Sequence, residues 1–97
     1  MCGRYSQTVD PAHLAQRFRL ETPGPGTHRR YNIAPTQDAP VVANDAQKQL
    51  RLMRWGLVPF WAKEESVGYK MINARAETLT QKPTFKKSFE KKRCLVL

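Results

Sequence analysis

The sequence predicts an α+β fold, rich in β-structure and flanked by short helices, on three observations. Two strand-like runs, Ala39 to Ala43 and Leu50 to Trp55, are separated by Asn44-Asp45-Ala46-Gln47-Lys48-Gln49, a polar, turn-favouring stretch that suits a hairpin. Asp10-Pro11 and Pro83 each open a segment whose apolar residues recur at helical spacing. With 97 residues and 40% apolar content, the chain can form one modest core and has no room for two. The expected organisation is a single domain over residues 1–97.

Gly3 to Gln7 reads as a short strand. Asp10 is placed as a helix N-cap and Pro11 at the first helical position, where a missing N–H costs nothing. Leu14 and Phe18, with Ala15 beside them, then share one face, and the helix is expected to run to about Leu20. Glu21 to Thr27, with Pro23-Gly24-Pro25-Gly26 at its centre, reads as a surface loop. Tyr31 to Ala34 resumes extended structure, favoured again by the residue before Pro35. Beyond the hairpin, Lys70 to Ala74 is expected as a strand and Pro83 to Lys92 as a short helix presenting Phe85 and Phe89 at i, i+4. Arg93 to Leu97 is expected as an apolar strand. It stops where such a run normally turns and pairs with a later segment, so a fragment or short form is expected, or an edge completed by a second chain.

Seventeen Lys and Arg against eight Asp and Glu give a formal charge of +9, which favours a polyanionic partner, nucleic acid first. The longest apolar stretches, Trp55 to Ala62 and Cys94 to Leu97, are too short to span a bilayer, so no membrane partner is expected. Met1 to Ser6 has the features of neither a secretory signal nor a transit peptide. The expected location is intracellular: cytoplasmic in a bacterium, nuclear in a eukaryote. In a reducing compartment Cys2 and Cys94 are expected as thiols, with Cys94 buried and inert in its apolar strand. Cys2, Cys94, His13 and His28 lack metal-ligand spacing, so neither a metal nor another cofactor is expected.

Cys2 is unusual by position. Removal of Met1 would leave an α-amine and a thiol on one residue, a 1,2-aminothiol with an appreciable reactive fraction near neutral pH. With an ester or amide the thiolate is a nucleophile and the amine its base. With an aldehyde the amine forms a Schiff base that the thiolate closes to a thiazolidine. Position alone leaves a further reading open, in which Cys2 is simply an early residue packed at the start of a strand.

Five segments add to this: Met1-Cys2-Gly3-Arg4-Tyr5, Tyr31-Asn32-Ile33-Ala34-Pro35-Thr36, Arg54-Trp55-Gly56-Leu57-Val58-Pro59-Phe60-Trp61-Ala62, Ile72-Asn73-Ala74-Arg75-Ala76-Glu77-Thr78 and Arg93-Cys94-Leu95-Val96. In this order they resemble successive motifs of the SOS response-associated peptidase family, over essentially the whole chain but about half of the family's domain. The resemblance implies part of a β-barrel-like core, removal of Met1, and covalent capture of abasic sites in single-stranded DNA as a thiazolidine on Cys2. It implies Cys2 as nucleophile, Asn73 as the residue that hydrogen-bonds beside it and orients the sugar, and Arg4 and Arg75 as phosphate ligands. Bidentate guanidinium contacts would set the register of a sugar without reading bases. Trp61 would stack on a base and Pro35 would line the same cleft.

Trp55 and Phe60 are expected in the core, Asn32 as a loop tether, and Glu77 and Thr78 as braces after Arg75. Lys82, Lys86, Lys87, Lys91, Lys92 and Arg93 form the most basic stretch, a solvated face able to add sequence-independent affinity for DNA. A glutamate and a histidine that assist proton transfer in the family fall beyond Leu97. Their absence would lower the rate by about 100- to 10,000-fold. Two other functions stay open: a non-catalytic module for single-stranded nucleic acid, and a thiol peptidase of the N-terminal-nucleophile type.

Overall fold

Asp10 begins the first helix as its composition requires. In the computed structural model, which describes residues 2–21, 27–47 and 49–97, Asp10 accepts the Ala12 N–H at 2.8 Å and Pro11 opens α1, Pro11–Arg17. Leu14 and Ala15 are buried. The helix stops three residues short of Leu20 because Arg19 takes a left-handed conformation, φ 53°. Leu20 N then bonds Ala15 O at 2.8 Å and Arg19 N bonds Gln16 O at 3.3 Å, a Schellman closure built without the glycine that normally announces it. Most of the expected Pro-Gly loop, residues 22–26, lies outside the described residues.

Two antiparallel sheets complete the frame. The first pairs β1, Tyr5–Gln7, with β2, Arg30–Ile33. The second has the order β4-β3-β5, with β3 at Asp38–Ala43, β4 at Arg51–Arg54 and β5 at Cys94–Val96. The expected hairpin is β3 and β4, with Ala39 opposite Met53 and Val41 opposite Arg51. Pro40 sits in the central strand, yet its missing N–H falls opposite the end of β5, where Leu97 N still donates to Pro40 O at 3.2 Å. The fold is α+β, and its sheets stay open and do not close a barrel. The core is small: Leu14, Ala15, Ile33, Ala39, Val41 and Leu50 are buried.

The connection between the sheets is a tight turn. Gln37 N bonds Ala34 O at 3.2 Å with Pro35 and Thr36 between them, and Thr36 has φ 73°. Proline followed by a residue of positive φ is the type II pattern, here with a β-branched residue where glycine is favoured. Thr36 N to Trp55 O at 3.0 Å and Trp55 N to Gln37 O at 2.9 Å lock the turn against the end of β4.

Lys70 to Ala74 is not a strand. A 3-10 helix occupies Glu65–Lys70, and the next residues are irregular. Their carbonyls are used singly: Met71 O accepts Leu57 N at 2.9 Å, and Ile72 O accepts the Trp55 indole Nε1–H at 3.1 Å. Gly56 makes that approach possible. Its φ is 125°, and a Cβ there would lie 2.9 Å from the Gly68 carbonyl carbon, a contact no side chain tolerates.

A second 3-10 turn, Ala76–Thr78, leads to α2, Pro83–Lys91, again opened by proline. Phe85 is half-buried and Phe89 is exposed at one edge, against the Arg93 guanidinium at 5.7 Å. Asn44 ties the end of α2 to the hairpin, donating to Lys91 O at 3.2 Å and accepting from Arg93 N at 3.0 Å. Among the described residues no helix is long and apolar enough to cross a membrane.

Candidate functional site around Cys2

Cys2 precedes β1 and is exposed. Asn73, 71 positions later, meets it with both ends of its carboxamide: Cys2 N donates to Oδ1 at 3.4 Å, and Nδ2 donates to Cys2 O at 2.8 Å. An amide side chain has one donor end and one acceptor end, which matches the backbone groups of one residue. The main chain of Cys2 is thereby oriented while its side chain stays free of the grip. The thiol turns to the Arg4 carbonyl, Sγ to O 3.3 Å.

Arg4 is oriented in turn by Asn32, Nη1 to Oδ1 3.1 Å. Asn32, in β2, therefore tethers the arginine that precedes β1, where a loop tether was expected. Arg75 caps the turn after Asn73 with extended backbone, φ −84° and ψ 128°, and is exposed. Among the described residues the ion pairs are Arg29–Asp10, Arg51–Asp45 and Arg54–Glu65. The charges of Arg4, Arg75 and the α2 lysines are left without an acidic partner there.

The second element of order is aromatic. Tyr5 and Trp55 meet edge to face, centroids 5.6 Å apart at 63°. Trp55 is half-buried, at the margin of the core it was expected to join. The Tyr5 hydroxyl is buried, with no hydrogen-bond partner among the described residues. Its burial pushes the phenol pKa above the ordinary 10.0, Arg30 pulls against that, and negative charge on Cys2 or Cys94 adds to it.

The structure brings Cys2, Asn73 and Arg4 into one hydrogen-bonded group. Arg75 lies two residues beyond Asn73. Pro35 is half-buried in the turn that Trp55 holds. Trp61 is 58% exposed and has no hydrogen bond or ring contact among the described residues. Thr78 braces the approach to α2 through its backbone, its carbonyl accepting from Gln81 N and Lys82 N, both at 3.0 Å.

Two expectations are corrected. Phe60 is 92% exposed, outside the core, with the Lys87 ammonium 5.7 Å from its ring centre. Pro59 is buried in its place, and the turn closed by Ala62 N to Pro59 O at 3.0 Å carries Phe60 outward. Cys94 is exposed, because β5 covers one edge of β3 and nothing among the described residues covers β5. Residue type alone had not singled out Tyr5, or Asn32 as a partner of Arg4. The Gly56 and Gly68 pair was the available sign of a close backbone crossing.

A backbone-gripped cysteine near the start of an open α+β frame defines an exposed thiol site. The chain belongs to the SOS response associated peptidase (SRAP) family, whose model matches residues 1–97. It is 43% identical over 99 residues to the abasic site processing protein YoqW of Bacillus subtilis, an alignment spanning 99% of this chain and 44% of that protein. It is 38% identical over 80 residues to the abasic site processing protein HMCES of Xenopus tropicalis, spanning 69% of this chain and 24% of the other. A crystal structure of a protein from Bacteroides thetaiotaomicron superimposes with a TM-score of 0.79 at 24% identity, covering 98% of this chain and 45% of that one, and so shares the fold. The chain spans about half the length of the Bacillus and Bacteroides proteins and about a quarter of the Xenopus one.

Proposed function

We propose that this chain acts on abasic sites in single-stranded DNA, inside the cell, by forming a covalent bond through Cys2 once Met1 is removed. The observation that carries the reading is the two-ended grip of Asn73 on Cys2. It orients the residue that becomes the N-terminus without occupying its thiol. Relatives named as abasic site processing proteins support the choice of substrate.

The ring-opened abasic sugar presents an aldehyde. The Cys2 amine adds to it and one water leaves, giving an imine. The thiol then adds to the imine carbon, its proton passes to the nitrogen, and a five-membered thiazolidine closes with no oxidant or reductant. The Asn73 acceptor holds the nitrogen while the sulfur turns toward the new carbon. Arg4 and Arg75 supply guanidinium groups for the flanking phosphates, and the α2 lysines, which have no acidic partner among the described residues, add salt-dependent affinity. Trp61 offers an exposed indole for base stacking and Pro35 a wall of the same cleft. No acid–base side chain among the described residues hydrogen-bonds the thiol, whose contact is the Arg4 carbonyl, so the imine nitrogen itself takes the thiol proton as the ring closes.

The test is incubation of Met1-processed protein with abasic single-stranded DNA, followed by denaturing electrophoresis. A denaturant-resistant complex is expected from the wild type. Its persistence in Cys2→Ala, or with an N-terminal extension retained, sinks the mechanism. A second reading draws on the exposed Trp61 and the basic face of α2: a non-covalent binder of single-stranded nucleic acid. Equal, steeply salt-dependent binding of intact and abasic DNA with no role for Cys2 would favour it.

A further inference from the structure

We propose that Trp55 is a positioning residue for the Cys2 site, its indole N–H setting Asn73 by holding the carbonyl of Ile72. The proposal rests on the reading of Cys2 given above and deepens it.

Asn73 is exposed, and the residues from Met71 to Arg75 form neither helix nor strand. A carboxamide on such a segment keeps both of its bonds to Cys2 only if its own backbone is fixed from elsewhere. Two hydrogen bonds do this: Leu57 N to Met71 O at 2.9 Å, and Trp55 Nε1 to Ile72 O at 3.1 Å. The second acts on the carbonyl of the peptide unit that joins Ile72 to Asn73.

Trp55 is itself well fixed. Gln37 O and Thr36 N engage its backbone on one side, and its ring meets Tyr5 edge to face. Tyr5 lies three residues from Cys2. One aromatic pair thus links both sides of the grip, Tyr5 through the chain to Cys2 and Trp55 through its hydrogen bond to the Ile72 carbonyl. Cys2, Tyr5, Trp55, Ile72 and Asn73 form a closed circuit of covalent, ring and hydrogen-bond links. The donor is the specific requirement: phenylalanine would keep most of the apolar area and the edge contact but leave the part-buried Ile72 carbonyl unpaired.

The experiment compares wild type, Trp55→Phe, Asn73→Ala and the double variant, each Met1-processed. The crosslinking rate is read at saturating abasic single-stranded DNA, and affinity is read with a tetrahydrofuran-containing strand that cannot react. Trp55→Phe is expected to slow crosslinking about three- to tenfold, as loss of one hydrogen bond allows, with unchanged affinity. In the double variant the tryptophan change is expected to add nothing to the loss from Asn73→Ala, since it acts through that residue. A wild-type rate in Trp55→Phe, or losses that multiply, overturns the proposal.

Exchange of the Asn73 side-chain amide protons provides a readout independent of DNA: slower in wild type, faster in Trp55→Phe. If the wild type forms no crosslink, the functional reading falls, and this exchange still decides the positioning role. Should Trp55→Phe fold poorly, benzothienylalanine at position 55 keeps the bicyclic shape without the N–H and must give the same loss.

Discussion

Cys2 and Cys94 are both free, exposed thiols, yet the molecule treats them differently. Cys2 has its backbone held at both polar groups by Asn73 and its thiol turned to Arg4 O. Cys94 lies on an edge strand, held only through the ladder to Ala43, and its thiol has no hydrogen bond among the described residues. Exposure leaves a thiol accessible; orientation decides which substrate atoms it can meet. The Cys2 corner uses its hydrogen bonds for orientation, whereas β5 presents Leu95 and Val96 to solvent, 56% and 59% exposed.

The most severe way to break this contrast is to remove the crossing beneath the Cys2 corner. Gly56→Ala forces a Cβ against the Gly68 carbonyl from a φ of 125°, and is expected to cost about 3 kcal/mol or more in denaturant unfolding. Wild-type stability would show that the two segments do not cross as described.

Asn73→Ala sharpens the contrast at the site. It is expected to lower the single-turnover crosslinking rate about 10- to 100-fold by releasing the Cys2 backbone, while Cys94→Ser leaves that rate unchanged. Equal losses from the two variants would remove the distinction between the thiols.

Tyr5 tests the support behind Cys2. Its phenol pKa is raised in the folded protein, so the neutral form is favoured there. That contribution is fully present below the unfolded value of about 10 and is lost as pH rises through the higher folded value. Wild type should therefore lose stability above pH 10 more steeply than Tyr5→Phe. Near neutrality the variant should stay within about 1 kcal/mol of wild type, since the hydroxyl it loses has no partner among the described residues. Parallel curves above pH 10 would contradict the burial of the phenol.

The smallest effect is expected on β5. Leu95→Lys should change monomer stability by about 0.5 kcal/mol or less, as surface substitutions do, and lower any concentration-dependent association seen by sedimentation. A large loss of stability would mean that the edge packs against the rest of the chain.

Local chemistry made several elements legible. Asp10 followed by proline signals a cap whatever surrounds it, and the hairpin comes from two extended runs around a polar turn. The Asn73 motif pointed to Cys2 through family resemblance, and its distance in sequence shows why spacing could not: 71 residues separate two groups joined by hydrogen bonds. The helix stop at Arg17 was illegible because an arginine took the conformation expected of glycine. The strand expected at Lys70 to Ala74 failed because its carbonyls were taken one at a time by Leu57 and Trp55.

By itself the sequence determined charge, caps, strand and helix tendencies, and the presence of a cysteine behind Met1, because these depend on residue type and near neighbours. The tertiary structure alone decided that Phe60 and Cys94 face solvent, that Asn32 holds Arg4, and that Trp55 reaches Ile72. Each of these depends on which backbone passes close to which, and in this chain that is set by a glycine crossing and two open sheets.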